Sequence, residues 1–290
     1  MIVRQWVDCF GRMGAQGRML DIATGNGLLP LLFHQRRTDG ECDGIDVADI
    51  SPAWLKSLPD AAQRRIRLHA KVSAESMPFP AGTFDLVVSQ YGLEYSDLSR
   101  SIPELVRVLA PGGEVRLLMH HSESRPAQLA REERGHIQWL RSESSWFDAA
   151  QDMLLPMSLL GQAGGLQRLN ADAGLAAVRS RFDQEVVLIR SRASDSACPD
   201  LLNDVQAWMA NVFKAAAQRG LGAARAEWVA VRGVIDEIDC RLADMLDHAL
   251  SESELKALLV SLQQLGVAAE FESAQEQGFL MGWLVSGTRN

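Results

Sequence analysis

Paired cysteines are missing from this sequence. Its 290 residues include four cysteines, which are Cys9, Cys42, Cys198 and Cys240. No two of them have the two-residue spacing of zinc knuckles and dithiol motifs. In a chain of this length such isolated thiols are typical of reduced, mostly buried side chains in a cytosolic protein. The sequence therefore predicts neither a disulfide framework nor a metal site.

An excess of basic residues and long apolar runs are also lacking. The 29 Lys and Arg residues are outnumbered by 37 Asp and Glu residues, so the formal net charge is −8. This balance argues against a broad nucleic-acid surface. No run reaches the 18 or so apolar residues of a membrane span, and the amphipathic segment 1–14 has no signal-peptide core. We expect a cytoplasmic protein without nucleic-acid or membrane partners.

Residues 18–121 alternate between short apolar runs and helical stretches, after a helical segment at 1–17. Strands are predicted at 18–24, 42–46, 66–72, 84–90 and 114–121. A helix is predicted from Ser51 and Pro52 to Leu58, and another from Ser101 to Leu109 before Pro111-Gly112-Gly113. Apolar strands that alternate with helices predict a parallel sheet covered on both faces.

Residues 122–250 are different because helical periodicity replaces the alternation. A helix start is predicted again at Ser251 and Glu254, which form a capping-box pattern. Two strands follow at 267–273 and 278–287, and we expect them to form an antiparallel pair at the edge of the sheet. We therefore predict a core of residues 1–121 and 251–290, with 122–250 as a helical insert. Most tryptophans of the insert are expected to pack inward. One or two would line a pocket if the insert is a lid over an apolar substrate.

The segment from Asp21 to Gly27, Asp-Ile-Ala-Thr-Gly-Asn-Gly, is the most informative one. It joins a strand to a helix, where glycines let a backbone approach a ligand. It is not a dinucleotide fingerprint, because Pro30 stands where the third glycine is needed, and no Gly-Lys-Ser/Thr follows. A carboxylate at Asp21 suits an ammonium-bearing ligand, and Asp46 ends the next strand, where it can accept bonds from ribose hydroxyls. These features predict a nucleoside that carries a positive amino acid group.

With these motifs the sequence resembles the class I S-adenosylmethionine-dependent methyltransferases of the small-molecule branch. The similar segments are LDIATGNG (20–27), GIDVADISP (44–52), SAESMPFP (73–80), FDLVVSQYGLEY (84–95) and LVRVLAPGG (105–113). The resemblance implies a Rossmann-like α/β fold, in which a seven-stranded, mostly parallel sheet has an antiparallel terminal strand and a large helical insert precedes the last core helix. It also implies S-adenosylmethionine as the cofactor and S-adenosylhomocysteine as the product.

The resemblance assigns cofactor contacts residue by residue. The predicted set is Asp21, Ala23, Gly25, Asn26, Gly27, Asp46, Val47, Ser73, Ala74, Glu75, Ser89, Gln90 and Tyr91. The chain departs from the family at Ser73, where an aspartate is common. A serine hydroxyl still bonds the adenine amino group, but more weakly than a carboxylate.

Candidates for contact with the acceptor follow the fourth and fifth strands. Tyr95, His120 and His121 are the candidate catalytic residues, and Tyr91 and Glu94 lie beside them. A base is needed only if the nucleophile arrives protonated. The remaining histidines are expected to be surface or packing residues; they are His34, His69, His136 and His248.

The function expected from the resemblance is methyl transfer to an O, N or C atom of a small, partly apolar metabolite. One alternative is a non-methyl S-adenosylmethionine-using transferase; aminopropyl transfer would need several acids after the fourth strand, and only Glu94 is there. A second alternative is a catalytically silent cofactor-binding partner or sensor, and a dehydrogenase is a third. An apolar face of the insert could support a homodimer.

Overall fold

The computed structural model describes residues 2–37 and 39–290. Seven strands are present in this part of the chain: β1 (Arg18–Ile22), β2 (Glu41–Asp46), β3 (Ile66–Ala70), β4 (Phe84–Gln90), β5 (Leu109–Met119), β6 (Val267–Glu276) and β7 (Phe279–Arg289). The helices before β5 are α1 (Ile2–Arg12), α2 (Leu28–Arg36), α3 (Ala53–Lys56), α4 (Asp60–Gln63) and α5 (Leu98–Val108), with a 3₁₀ helix at Leu93–Tyr95.

The helices after β5 form one long series. They are α6 (Arg125–Ser142), α7 (Trp146–Asp152), α8 (Leu154–Leu160), α9 (Gly165–Ala171), α10 (Ala173–Ser194), α11 (Asp200–Arg219), α12 (Leu221–His248) and α13 (Glu252–Gln264). The capping box predicted for α13 is confirmed, because Ser251 Oγ accepts from the Glu254 backbone and the Glu254 carboxylate accepts from the Ser251 backbone.

All seven strands belong to one sheet, in the order β3-β2-β1-β4-β5-β7-β6. The pairs among β1 to β5 are parallel, whereas β7 pairs antiparallel with both β5 and β6. The predicted Rossmann-like, mostly parallel sheet with an antiparallel terminal pair is confirmed. Because β1 and β4 are neighbours while β2 and β3 lie on the far side of β1, the strand order reverses between β1 and β4, and ligands bind at such a point.

Some predicted boundaries were wrong. Ser51 does not cap a helix, since α3 begins only at Ala53 after extended Pro52, and no side chain caps it. The helix predicted from Ser101 begins earlier, at Leu98, because Asp97 accepts a bond from the Ser99 backbone and acts as its N-cap. Strand β5 begins at Leu109, within the predicted helix end, and stops at Met119, before the two histidines.

Two apolar layers cover the sheet. On one face Leu20, Leu117 and Val285 belong to a cluster that includes side chains of α5 and α13. On the other face Met19, Leu118 and Leu284 pack with α1 and α2. Neighbouring strand residues point to opposite faces, which explains why consecutive residues such as Leu117 and Leu118 join different clusters. The layers fix the strands whose ends carry the predicted site.

The chain divides into two compact units, residues 1–127 with 247–290 and residues 128–246. The second unit has a core of its own on α6 to α12, in which Trp146 and Trp228 are buried while Trp139 and Trp208 are partly buried. A cavity of about 300 Å³ in this unit includes Trp208 in its wall. Among the described helices, none is both long and apolar enough for a membrane span.

Candidate functional site

The predicted site lies where strands β1, β2 and β4 end. Parallel strands bring their carboxyl ends to one edge, and a cavity of about 340 Å³ opens there. This volume is within the range of small-molecule sites, roughly 300 to 1,000 Å³. Its wall consists of Ile22, Ala23, Ile45, Asp46, Val47, Val72, Ser73, Ala74, Glu75, Tyr91, Gly92, Tyr95 and Ser96.

Left-handed residues turn the chain around this cavity. Ala23 directly follows β1 with φ 57°, and Tyr91 directly follows β4 with φ 54°. Residues other than glycine rarely adopt this backbone conformation, because it costs about 1–2 kcal/mol per residue. Such strain persists only where the surrounding structure imposes it, and it clusters at functional sites. The two strained residues therefore mark the same edge as the cavity.

The glycine loop has open space beside it at one position. Gly25 has φ 51°, and a Cβ built there would meet no atom within 4 Å. Gly27 has φ 74°, and its Cβ would lie 2.7 Å from the ring of Trp54, whose Nε1 donates to the backbone oxygen of Asn26. Gly25 is thus the residue at which a ligand can approach the backbone, while Gly27 lets the tryptophan hold the loop.

Asp21 lies behind the loop and not in the cavity wall. Its side chain is buried, and it accepts a bond of 2.6 Å from the Thr24 hydroxyl. Gly44 permits this pair, because a Cβ there would lie 2.8 Å from Thr24 Oγ1. Burial raises the pKa of Asp21 to about 7, the Thr24 bond opposes this, and the charge of Asp46 adds to it. Asp21 therefore shapes the loop from behind.

Asp46 lines the cavity and is bonded to the loop. Its Oδ2 accepts from the Gly25 backbone at 2.8 Å, and its Oδ1 accepts from the Ala48 backbone at 2.9 Å. Each carboxylate oxygen has a second lone pair, so ribose hydroxyls can still be accepted. The exposed side chain of Val47 extends the same wall.

The predicted adenine segment forms another part of the wall. Ser73 Oγ accepts from the Glu75 backbone at 3.1 Å, which leaves its hydroxyl proton as a donor. The Glu75 carboxylate accepts from the Asp97 backbone and pairs with Arg100 at 2.8 Å. Ser73 and the backbone of Ala74 are therefore the more available groups in this segment.

The residues at the end of β4 have different roles. Ser89 is buried, donates to the backbone of Ile22 and accepts from the backbone of Leu93, so it holds the strand end. Gln90 accepts from Trp6 Nε1 at 2.5 Å, on the face covered by α1. Tyr91 lines the cavity and donates to the backbone of Met281. Of these three predicted cofactor contacts, only Tyr91 reaches the cavity wall.

The two histidines after β5 stack on different aromatic side chains. His120 stacks on the cavity residue Tyr91, with 4.4 Å between ring centroids, and meets the edge of Tyr95 at 6.0 Å. Its Nδ1 is buried without a hydrogen-bond partner, and burial lowers its pKa to about 4. His121 stacks on Trp283 at 4.0 Å and accepts from the Glu123 backbone. The structure brings His120 to the predicted acceptor end, but not His121.

Sequence reasoning placed Glu94 beside the candidate catalytic residues, but it missed the burial of this acid and the position of His248. Glu94 is only 3% exposed; its Oε1 accepts from the His120 backbone at 2.7 Å, whereas its Oε2 has no hydrogen-bond partner. His248 stacks on Tyr95, with 5.0 Å between ring centroids. An acid in an otherwise apolar strand-end segment was the available signal for Glu94. Nothing local indicated His248, because it lies at the end of α12, more than 150 residues after Tyr95 in sequence.

The donor types of this site suit an organic ligand. Within residues 2–37 and 39–290, no group of three or more His, Cys, Asp or Glu side chains is arranged to hold a metal ion. Carboxylate, hydroxyl and backbone groups surround a cavity whose wall is otherwise apolar or aromatic. Such a cavity can orient a nucleoside through Asp46 and Ser73 while apolar groups exclude water.

Comparison with protein families gives a match over the region that carries the site. Residues 20–117 match the family described as "Methyltransferase domain". Among curated relatives, the demethylmenaquinone methyltransferase of Thermus thermophilus is 36% identical over 105 residues, which are 36% of this chain and 47% of that protein. The ubiquinone/menaquinone biosynthesis C-methyltransferase UbiE of Idiomarina loihiensis is 36% identical over 123 residues, 40% of this chain and 47% of that protein.

The chain thus spans about half the length of the curated relatives it matches. Among solved structures, the geranyl diphosphate C-methyltransferase from Streptomyces coelicolor A3(2), in complex with Mg²⁺, geranyl diphosphate and S-adenosyl-L-homocysteine, is 17% identical with a TM-score of 0.38. That match covers 47% of this chain and 52% of the other. The matched regions include the glycine loop and the ends of β2 and β4 in the family comparison.

Proposed function

We propose that the protein transfers the methyl group of S-adenosylmethionine to a small, partly apolar metabolite, because residues 20–117 match the methyltransferase-domain family and the chain is similar to curated methyltransferases. The observation that carries the proposal is the cavity at the ends of β1, β2 and β4, with Asp46 and Ser73 in its wall and open space beside Gly25.

The residues present fit the cofactor. Asp46 accepts bonds from the ribose hydroxyls, and Ser73 with the backbone of Ala74 binds the adenine edge. The backbone at Gly25 approaches the amino acid end, where the open space permits contact. When bound, S-adenosylmethionine supplies a methyl group on a sulfonium that is already an activated leaving group. The tasks of the chain are therefore alignment and exclusion of water.

The acceptor site in this proposal lies beside Tyr91 and Tyr95. Their rings, with the stacked His120, offer an aromatic surface that suits a partly apolar molecule. The names of the curated relatives refer to demethylmenaquinone, ubiquinone and menaquinone, which supports an apolar acceptor. The atom methylated is O, N or C.

His120 and Tyr95 are the candidate catalytic residues in the proposal. Burial holds His120 neutral at pH 7, since its pKa is about 4, and its Nδ1 has no partner. A neutral imidazole can accept a proton, but a pKa this far below 7 makes it a weak base, so its role is limited to an acceptor that is itself easily deprotonated. His121 is left out of the proposed site because its Nδ1 is bonded to Glu123 and its ring stacks on Trp283.

We also propose that residues 128–246 act as a lid that contributes to acceptor recognition. The chain leaves the core after Ala127 and returns at Asp247. The next residue, His248, stacks on Tyr95 in the cavity wall. Both covalent connections of the helical unit thus lie close in sequence to residues of the acceptor end, His120 and His248.

Calorimetric titration tests the cofactor, with S-adenosylmethionine, S-adenosylhomocysteine and NAD in parallel. We expect the first two to bind and NAD to give no heat of binding. Acceptor candidates, beginning with short-chain quinols, are then screened by release of S-adenosylhomocysteine. Binding of NAD alone would favour a dehydrogenase. Cofactor binding without turnover of any acceptor would favour the silent binding protein, and transfer of an aminopropyl group would favour the other transferase class.

A further inference from the structure

Glu94 is a buried carboxylic acid placed between two residues of the cavity wall. It belongs to the 3₁₀ helix Leu93–Tyr95, and the wall includes Gly92 on one side of it and Tyr95 on the other. One carboxylate oxygen accepts from the His120 backbone, and the other is buried with no hydrogen-bond partner. Leaving such an atom unpaired is costly, so a group that arrives in the cavity can improve its environment.

The groups around Glu94 come from four elements. Tyr91 follows β4, Tyr95 is in the same 3₁₀ helix, His120 follows β5, and His248 ends α12. Two of them are neutral near pH 7, where burial raises the pKa of Tyr91 to about 12 and lowers the pKa of His120 to about 4. The charge of Glu276, on β6, adds to the rise at Tyr91.

Burial also acts on the carboxyl itself. It raises the pKa of Glu94 to about 7, against bonds from backbone groups and the charge of His248, which lower it. A group with this pKa changes protonation readily near neutral pH. A small change of charge in the adjacent cavity is then sufficient to convert it.

We propose that Glu94 distinguishes S-adenosylmethionine from S-adenosylhomocysteine, by being a carboxylate when the positive sulfonium is bound and a neutral acid when the uncharged thioether is bound. The inference rests on the proposed function. With the nucleoside at Asp46 and Ser73, we place the sulfur toward Gly92 and Tyr95, the wall residues that flank Glu94 in sequence. The two ligands differ there by one methyl group and one positive charge.

The physical basis is the interaction of opposite charges away from water. A positive charge within about 4–6 Å lowers the pKa of a carboxyl by about 1–3 units. Salt screens such a buried pair much less than an exposed one. S-adenosylmethionine therefore binds with release of a proton from Glu94 near pH 7, and S-adenosylhomocysteine does not. After methyl transfer the sulfonium charge is gone, and Glu94 takes up a proton from solvent. The affinity for S-adenosylmethionine therefore falls more steeply in acid than the affinity for S-adenosylhomocysteine does.

The measurable consequence is a pH-dependent ratio of affinities. A drop of one pKa unit raises the preference for S-adenosylmethionine over S-adenosylhomocysteine by about tenfold between acid and alkaline pH. The amino group of S-adenosylmethionine loses its proton at lower pH than that of S-adenosylhomocysteine, because the sulfonium charge lies close to it. The wild-type ratio is therefore compared with the ratio for a variant that lacks the Glu94 carboxyl, in which this ligand contribution is the same. At low pH, where Glu94 is protonated with either ligand, the ratio is at its minimum.

The experiment measures both dissociation constants by calorimetry from pH 5.5 to 8.5, in phosphate and in Tris, for the full-length chain and two variants. Glu94→Gln removes the titrating group and keeps its shape. Glu272→Gln, at an exposed position of β6, removes a carboxylate elsewhere. We expect the ratio to rise about tenfold with pH in the wild type and in Glu272→Gln. In Glu94→Gln this rise should be absent, which leaves only the pH dependence of the ligands themselves.

Comparison of heats in the two buffers counts protons and needs only the wild-type chain. At pH 7, binding of S-adenosylmethionine should release a fraction of a proton. Binding of S-adenosylhomocysteine should release less. Equal proton release with both ligands, or an unchanged pH dependence in Glu94→Gln, would overturn the inference and leave the proposed function intact. Binding of neither ligand would instead overturn the proposed function, and the inference with it.

Discussion

The carboxylate of Asp46 accepts a hydrogen bond of 2.8 Å from the backbone N–H of Gly25. This bond joins the end of β2 to the glycine loop after β1, although the two residues lie on different strand connections. The same carboxylate faces the cavity, so one side chain both fixes the loop and presents acceptors to a ligand. Loss of Asp46 should therefore have two effects on cofactor binding.

Asp46→Ala is expected to weaken S-adenosylmethionine binding by at least about tenfold, because bonds to a charged acceptor contribute about 1.5–3 kcal/mol. Calorimetric titration measures the change. Asp49→Ala is the matched control, since Asp49 is exposed and pairs with Lys71. An Asp46→Ala protein that binds as tightly as the control would refute the ribose assignment.

Gly92→Ala is expected to disturb the cavity wall by overpacking. A Cβ at Gly92 would lie 2.4 Å from the Cβ of Ala23, which is held in the left-handed conformation at the end of β1. Overpacking of this kind costs about 1–3 kcal/mol. The dissociation constant of S-adenosylmethionine should rise about tenfold or more. Gly135→Ala in α6, where a Cβ meets nothing within 4 Å, should bind normally; equal affinity of both variants would contradict the prediction.

Asp21→Asn tests the buried acid behind the loop through the pH dependence of stability. Burial raises the pKa of Asp21 from 3.8 to about 7, so between these values the folded chain holds a proton that the unfolded chain has lost. This contribution makes wild-type stability fall as pH rises, by at most about 1.4 kcal/mol per pH unit. Asparagine does not titrate and still accepts the Thr24 bond.

Urea unfolding at several pH values between 4 and 7.5 measures the effect. The free energy of unfolding of Asp21→Asn minus that of the wild type should increase with pH through this window and level off above pH 7. Asp8→Asn, an exposed position of α1, should show a difference within about 0.5 kcal/mol throughout. A pH-independent difference for Asp21→Asn would mean that the carboxyl is ionised in the folded chain.

Gly233→Ala is expected to stabilise the helical unit. Gly233 lies inside α12, and an added Cβ would meet no atom within 4 Å. Alanine in a helix interior is favoured over glycine by about 1 kcal/mol, which raises the melting temperature by about 2–4 °C. Thermal unfolding followed by circular dichroism measures this. Gly220→Ala gives the contrast, because Gly220 has φ 85° and should lower the melting temperature despite equally open space. Identical shifts in the two variants would show that backbone conformation does not decide the outcome.

Local sequence was sufficient for the sheet and for several residues of the cavity wall. Apolar runs of strand length bounded by turn residues located all seven strands, and β4 was predicted with its observed bounds, Phe84–Gln90. Asp46 and Ser73 could be placed at the cavity because Asp46 ends β2, Ser73 lies shortly after β3, and the ends of parallel strands meet at one edge. The capping box at Ser251 could be identified because both of its partners lie within one turn.

Other features depended on contacts that a local pattern does not contain. Ser51 looked like a helix cap, but extended Pro52 delays α3 to Ala53. His120 and His121 are adjacent in sequence, yet their rings stack on different partners, Tyr91 and Trp283.

The sequence by itself determined the order of the strands along the chain, the glycine loop and the acid at the end of β2, because each depends on residues close together in sequence. Only the tertiary structure decided that Asp21 lies behind the loop, that Glu94 is buried with an unpaired oxygen, and that His248 stacks on Tyr95. Burial and electrostatic environment arise from the packing of distant segments, so the residues whose pKa values are most altered could not be recognised from their neighbours in sequence.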